Sequence, residues 1–80
     1  MDFKDIATLI QFHRKQAGLS RNQLADIADV GKTVVFDIEH GKETIHYQSL
    51  AKILATLNIS ITFHSPLMAE FHHLKTELQT

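Results

Sequence analysis

The apolar positions of the chain change their period near residue 58. Upstream, Ile6, Leu9, Ile10 and Ala17, with Phe12 beside them, recur at steps of three and four and predict an amphipathic helix over 5–17. Gly18 is a natural stop. Ser20 precedes "RNQLADIA", and Gln23 lies three residues after it, the signature of a capping box; a second helix is expected from Arg21 to about Ala28. The segment 31–40 is ambiguous in composition, because Val34-Val35-Phe36 favours a strand. Val34, Val35 and Ile38 nevertheless fall on one side at helical spacing and Gly41 follows, so a third helix is expected. After the loop "GKETIHY", the stripe Leu50, Ile53, Leu54 and Leu57 predicts a fourth helix from Gln48 to about Leu57, with Asn58 to end it.

Beyond Asn58 the period becomes two. Ile59, Ile61 and Phe63 alternate with Ser60, Thr62 and His64, the pattern of a half-buried strand. No other segment reads as a strand to pair with it, and a lone strand leaves its backbone donors and acceptors unpaired. The simplest partner is the same strand of a second protomer in a two-fold dimer, with Ile59, Ile61 and Phe63 as its dimerising residues. Pro66 closes the element. Leu67, Phe71, Leu74 and Leu78 follow at roughly heptad spacing, but two heptads are too few for a stable coiled coil alone. A docked or frayed helix and a disordered tail both remain open. The expected fold class is mainly α: a small helical bundle over residues 1–64 with one short dimerising β-strand at its end, then a tail over 65–80.

Composition narrows the function. Eighty residues suit one small domain, and 44% hydrophobic with 21% charged residues is a globular balance. There is no Cys to brace the core through disulfides or a Cys-ligated metal. No apolar run approaches the ~20 residues of a membrane span, and "MDFKD" lacks the basic, apolar start of a signal peptide. A soluble cytoplasmic protein with no membrane partner is expected. The His residues at 13, 40, 46, 64, 72 and 73 show no metalloprotease spacing, and no Gly-framed Ser nucleophile is present; no catalytic residue, metal or cofactor is expected. The formal net charge of −1 argues mildly against nucleic-acid binding.

Gly31-Lys32-Thr33 has the ending of a nucleotide-gripping loop. That loop needs another Gly five residues earlier and a preceding strand. The chain has Asp26 there, inside a predicted helix, so the nucleotide reading fails.

Residues 21–40 instead resemble the helix-turn-helix of Cro/cI-type (Xre-type) repressors. Leu24, Ala28, Val30, Val35 and Ile38 occupy the motif's apolar positions, and Ala25 the small position where two helices approach. "IEHGK", residues 38–42, matches a frequent family ending, and Arg14 and Glu39 stand where these proteins place an internal ion pair. "LAKILATLNISITF", residues 50–63, is most similar to HipB-type antitoxins, small repressors that dimerise through a strand and bind a kinase toxin. The chain departs from the pattern at the turn, where Asp29 replaces the usual Gly, and at the helix cap, where Gly31 replaces Ser or Thr. Phe36 and Asp37 stand where Ser and Arg are frequent.

The resemblance implies a DNA-binding repressor whose third helix lies in the major groove of a palindromic operator. Lys32, Thr33, Val34, Phe36 and Asp37 would then meet bases, Phe36 either touching DNA or folding onto the fourth helix, and Asp37 either reading cytosine or pairing with a nearby Lys. Ser20, Arg21, Asn22, Gln23, Gly31, His40 and Lys42 would meet phosphates. The sharper expectation is an autoregulating antitoxin with a HipA-like kinase partner. The alternatives are a stand-alone regulator of the same family, or an interaction module on this fold that no longer binds DNA.

Overall fold

The structure, a computed structural model, describes residues 2–78. Among the described residues five helices follow one another: α1 (Phe3–Gln16), α2 (Arg21–Ala28), α3 (Lys32–Glu39), α4 (Tyr47–Thr56) and α5 (Met68–Leu78). Helix α1 begins two residues before its apolar stripe suggests, because Asp2 caps it. The Asp2 carboxylate accepts from the Asp5 amide at 3.0 Å, and the Asp5 carboxylate accepts from the Asp2 amide at 3.2 Å. Helix α2 starts on the Ser20–Gln23 capping box: Gln23 N–H donates to Ser20 Oγ (3.0 Å) and Ser20 N–H donates to Gln23 Oε1 (2.8 Å).

The α2–α3 turn passes through Asp29 in the left-handed conformation (φ 58°, ψ 52°). A short polar side chain tolerates this region better than most. The Val30 amide then closes onto the Ala25 carbonyl at 3.0 Å. The Val34-Val35-Phe36 run is helical because a helix buries Val35 and Ile38 completely or nearly so, and packing outweighs strand propensity.

Ile10 of α1, Leu24, Ala25 and Ala28 of α2, Val35 and Ile38 of α3, and Ile53 and Leu54 of α4 form the core. Ala25, with no exposed surface, lets α2 and α3 pack closely. Helix α1 packs on α3, and α4 on α2. The face of α3 opposite the core is thereby left outward.

The expected strand is a correction. No strand occurs among the described residues, and 59–64 carries no backbone ladder. Asn58 takes φ 60°, the Ile59 amide donates to the Leu54 carbonyl at 2.9 Å, and Ile59 packs against the core. Ile59 thus finishes the C-terminal cap of α4, a hydrophobic contact of the kind that follows a left-handed stop. Ile61 and Phe63 are exposed. A ladder needs a second strand, and a single chain offers this segment none. Downstream, the tail is helical over Met68–Leu78, with no buried residue. The end of the tail segment, residues 79–80, lies outside the described residues. No described helix is long and apolar enough to cross a membrane.

Candidate nucleic-acid interface

The position of α3 is held from beneath by an ion pair. Arg14 is the buried charged residue of the core region, and the Glu39 side chain is 1% exposed. Arg14 donates from Nε to Glu39 Oε2 at 2.6 Å and from Nη2 to Oε1 at 3.0 Å. Its Nη1 donates to the Leu19 carbonyl at 2.9 Å, which also ties the loop ahead of α2. Such a two-pronged pair fixes orientation as well as position. The hydrogen bond that Arg14 donates to Glu39 raises the Arg14 pKa above its already high ordinary value, against the opposing effect of burial. The guanidinium therefore stays charged across the working pH range.

Two depressions flank the outward face of α3. On the α2 side, Lys32 and Phe36 share an open depression with Ser20, Arg21 and Asn22, and Arg14 also lines it. On the α4 side, Val34 and Asp37 share a cleft with Lys42, Thr44, Ile45, His46 and Ser49. Lys32, Thr33 and Phe36 are exposed; Val34 is half-buried against the core. Gly31 starts the helix in an extended conformation with no side-chain cap, leaving its first amides without a side-chain acceptor.

Phe36 does not fold onto α4. It is 47% exposed and stacks on His40, with ring centroids 3.9 Å apart and planes at 24°. The Arg21 guanidinium lies 5.5 Å from the centre of the same ring, within cation–π range. His40 is held in turn by its Nδ1–H, which donates to the Phe36 carbonyl at 2.7 Å. Arg21 also reaches Glu39 Oε1 at 3.3 Å, so it is steered toward α3 rather than extended freely from α2. Asp37 lies 3.4 Å from Lys42 Nζ, so each tempers the other's charge.

The structure thus brings Ser20, Arg21, Asn22, Lys32, Phe36 and His40 together beside α3, near the Asp37–Lys42 pair, while Thr33 is exposed in the first turn of the same helix. Gln23 is occupied through its carbonyl by the capping box, with its amide NH2 left to donate. Ile61 and Phe63 are not part of this face; Ile61 lines an apolar groove with Ile6, Leu9, Leu50 and Leu54. The Phe36–His40 stack and the Arg21–Phe36 approach were not foreseen from the sequence. The i,i+4 spacing of Phe36 and His40 is the signal that could have found the first.

Comparison with known proteins agrees with this geometry. A helix-turn-helix family matches residues 10–64. A protein of Sinorhizobium fredii (strain NBRC 101917 / NGR234), named "Uncharacterized HTH-type transcriptional regulator y4mF", is 36% identical over 62 residues, covering 78% of this chain and 82% of that protein. Among solved structures, a chain described as "MDT Protein" and one from "Structure of HipA-HipB-O2-O3 complex" each superpose with a TM-score of 0.74 at 20% identity, covering 82% of this chain and 93% of theirs. At that identity the two structures speak for the fold. Buried motif positions, outward α3 face and family match converge: the chain belongs to the Xre-type helix-turn-helix family of DNA-binding transcriptional regulators.

Proposed function

We propose that the protein is a dimeric repressor that reads a palindromic operator with α3 and serves as the antitoxin of a HipA-like kinase toxin, repressing its own operon. The observation that carries the DNA reading is the two-sidedness of α3: Val35 and Ile38 are buried while Lys32, Thr33 and Phe36 stand outward beside Arg21. In the major groove, Lys32 donates to guanine O6 and N7, Thr33 bonds a base or touches a thymine methyl, and Phe36 packs on thymine methyl or sugar. Val34, half-buried, reaches at most a methyl group. Asp37 contacts a cytosine only after leaving Lys42.

Around this helix, the Ser20 hydroxyl, Arg21, Asn22, the Gln23 amide, the Gly31 backbone and Lys42 meet phosphates, aided by the helix N-termini. His40 can join them only through a proton on Nε2, because its Nδ1–H already donates to the Phe36 carbonyl. With Nδ1–H committed to Phe36, a neutral ring offers only a lone pair at Nε2, and a phosphate needs a donor. The dimer forms through the 59–64 segments, where Ile61 and Phe63 are exposed and unpaired in the single chain. Ile59, already packed on its own core, contributes by orienting the segment. The fold shared with a chain of the HipA–HipB complex supports the toxin partner. A stand-alone regulator is the second reading, favoured by the name of the relative from S. fredii.

Fluorescence polarisation with DNA from upstream of the gene tests the first claim. Specific binding should weaken steeply with salt. Lys32→Ala with Thr33→Ala should lose about 1–3 kcal/mol of discrimination per lost base contact while the chain still dimerises. Unchanged operator affinity in that double variant overturns the recognition-helix assignment. Co-purification with the product of an adjacent kinase-like gene tests the antitoxin role, and the lack of such a gene or complex removes it.

A further inference from the structure

Helix α5 carries an apolar stripe that its own chain leaves uncovered. Leu67, Phe71, Leu74 and Leu78 are 63, 52, 52 and 77% exposed. The Phe71 amide donates to the Leu67 carbonyl at 2.9 Å, so Leu67 belongs to the same helical turn and the four residues share one side. The helix packs on none of α1–α4 to the extent they pack on one another. The Cα radius of gyration is 15.3 Å, against about 12 Å for a compact chain of this length. A contiguous apolar band of this kind is normally a contact surface. It is also continuous with the surface assigned above to the dimer, since Ile61, Phe63, Met68 and Phe71 line one groove.

The charges beside the stripe select the occupant. Steps of four, three and four place Leu67 and Leu74 at d, and Phe71 and Leu78 at a, of a heptad. Glu70 then falls at g and Lys75 at e, and neither forms an ion pair among the described residues. In a parallel pair, each g residue faces the following e residue of the other helix, so Glu70 meets the partner's Lys75 twice by symmetry. In an antiparallel pair g meets g, and Glu70 would face the partner's Glu77, a like-charge clash. We infer that α5 pairs in parallel with α5 of a second copy, through Phe71 and Leu74 and the Glu70–Lys75 flanks. Two heptads hold weakly alone. Tethering through the 59–64 segments raises their effective concentration, and to that extent the inference rests on the proposed dimer.

Because the chain has no Cys, single cysteines introduced into the full-length protein report on this pairing directly. Under mild oxidation, Phe71→Cys and Leu74→Cys should each cross-link to themselves. Thr76→Cys, on the opposite side of α5, should not. Cross-linking only in a mixture of Phe71→Cys and Leu74→Cys would indicate antiparallel helices and overturn the inference, as would equal cross-linking at all three positions or none at 71 and 74. Sedimentation of the wild-type chain separates the two claims. A dimer without cross-links at 71 or 74 leaves the operator-binding dimer standing and removes α5 from it, whereas a monomer at all concentrations removes both. Glu70→Lys should raise the dimer dissociation constant several-fold, and Glu70→Lys combined with Lys75→Glu should restore it.

Discussion

Two residues at the same carboxylate illustrate how burial sets energetic weight. Arg14 and Arg21 both contact Glu39, but their side chains are 9 and 43% exposed. Glu39→Gln keeps the shape and leaves the Arg14 charge buried without its counterion, so urea unfolding should show a loss of roughly 3–5 kcal/mol. Arg21→Ala removes an exposed contact and should cost less than about 1 kcal/mol of stability, with its larger effect on DNA affinity. Phe36 behaves like Arg21. Half in solvent and stacked on His40, it adds little to the core, so Phe36→Ala should shift stability by about 0.5 kcal/mol or less. The same change frees both Arg21 and His40 from their shared ring, and operator affinity measured by polarisation should fall. A variant that binds DNA as well as wild type shows the stack to be a surface ornament.

The turn between α2 and α3 sets the angle at which the outward face is offered. Asp29 holds φ 58° there without the freedom of Gly, so Asp29→Gly should raise the unfolding free energy by up to about 1 kcal/mol and Asp29→Val should lower it. Thermal melts of both variants check the sign. The first four helices were legible in the sequence to within two residues at either end, because apolar steps of three and four, the Ser20 cap and the stops at Gly18 and Asn58 all agree locally. The Asp2 cap was missed because an apolar stripe says nothing about the turn that precedes it. The strand at 59–64 was misread for a related reason: Ile59, Ile61 and Phe63 alternate, yet Ile59 is spent on the α4 cap, and alternation alone cannot supply a pairing partner. The apolar frame of the site was legible for the same reason as the helices. The attraction of Arg21 toward Phe36 and Glu39 was not, because it depends on two helices meeting across a turn.

At the scale of the whole molecule, the difficulty is charge. A chain of formal net charge −1 gains little from long-range attraction to DNA, so in the proposed repressor affinity would rest on the few cations of one face, Arg21, Lys32 and Lys42, the last partly spent on Asp37. Each phosphate neutralised contributes a slope of about −0.9 in log K against log salt. Three cations, one of them compromised, make a single domain a weak binder at physiological salt. Two copies double the slope and add a geometric condition, since half-sites must lie about one helical turn, 34–36 Å, apart for both α3 helices to reach a groove from the same side. Phe63→Asp should therefore separate the two properties. Phe63 is 73% exposed, so the domain keeps its core, while a carboxylate in the proposed 59–64 contact brings an unpaired charge into the apolar surface between the copies. The variant should sediment as a monomer, its salt slope should fall to about half the wild-type value, and inserting five base pairs between half-sites, which should abolish tight binding by the wild type, should leave it indifferent. If the variant keeps the full slope and the spacing requirement, the copies are joined elsewhere.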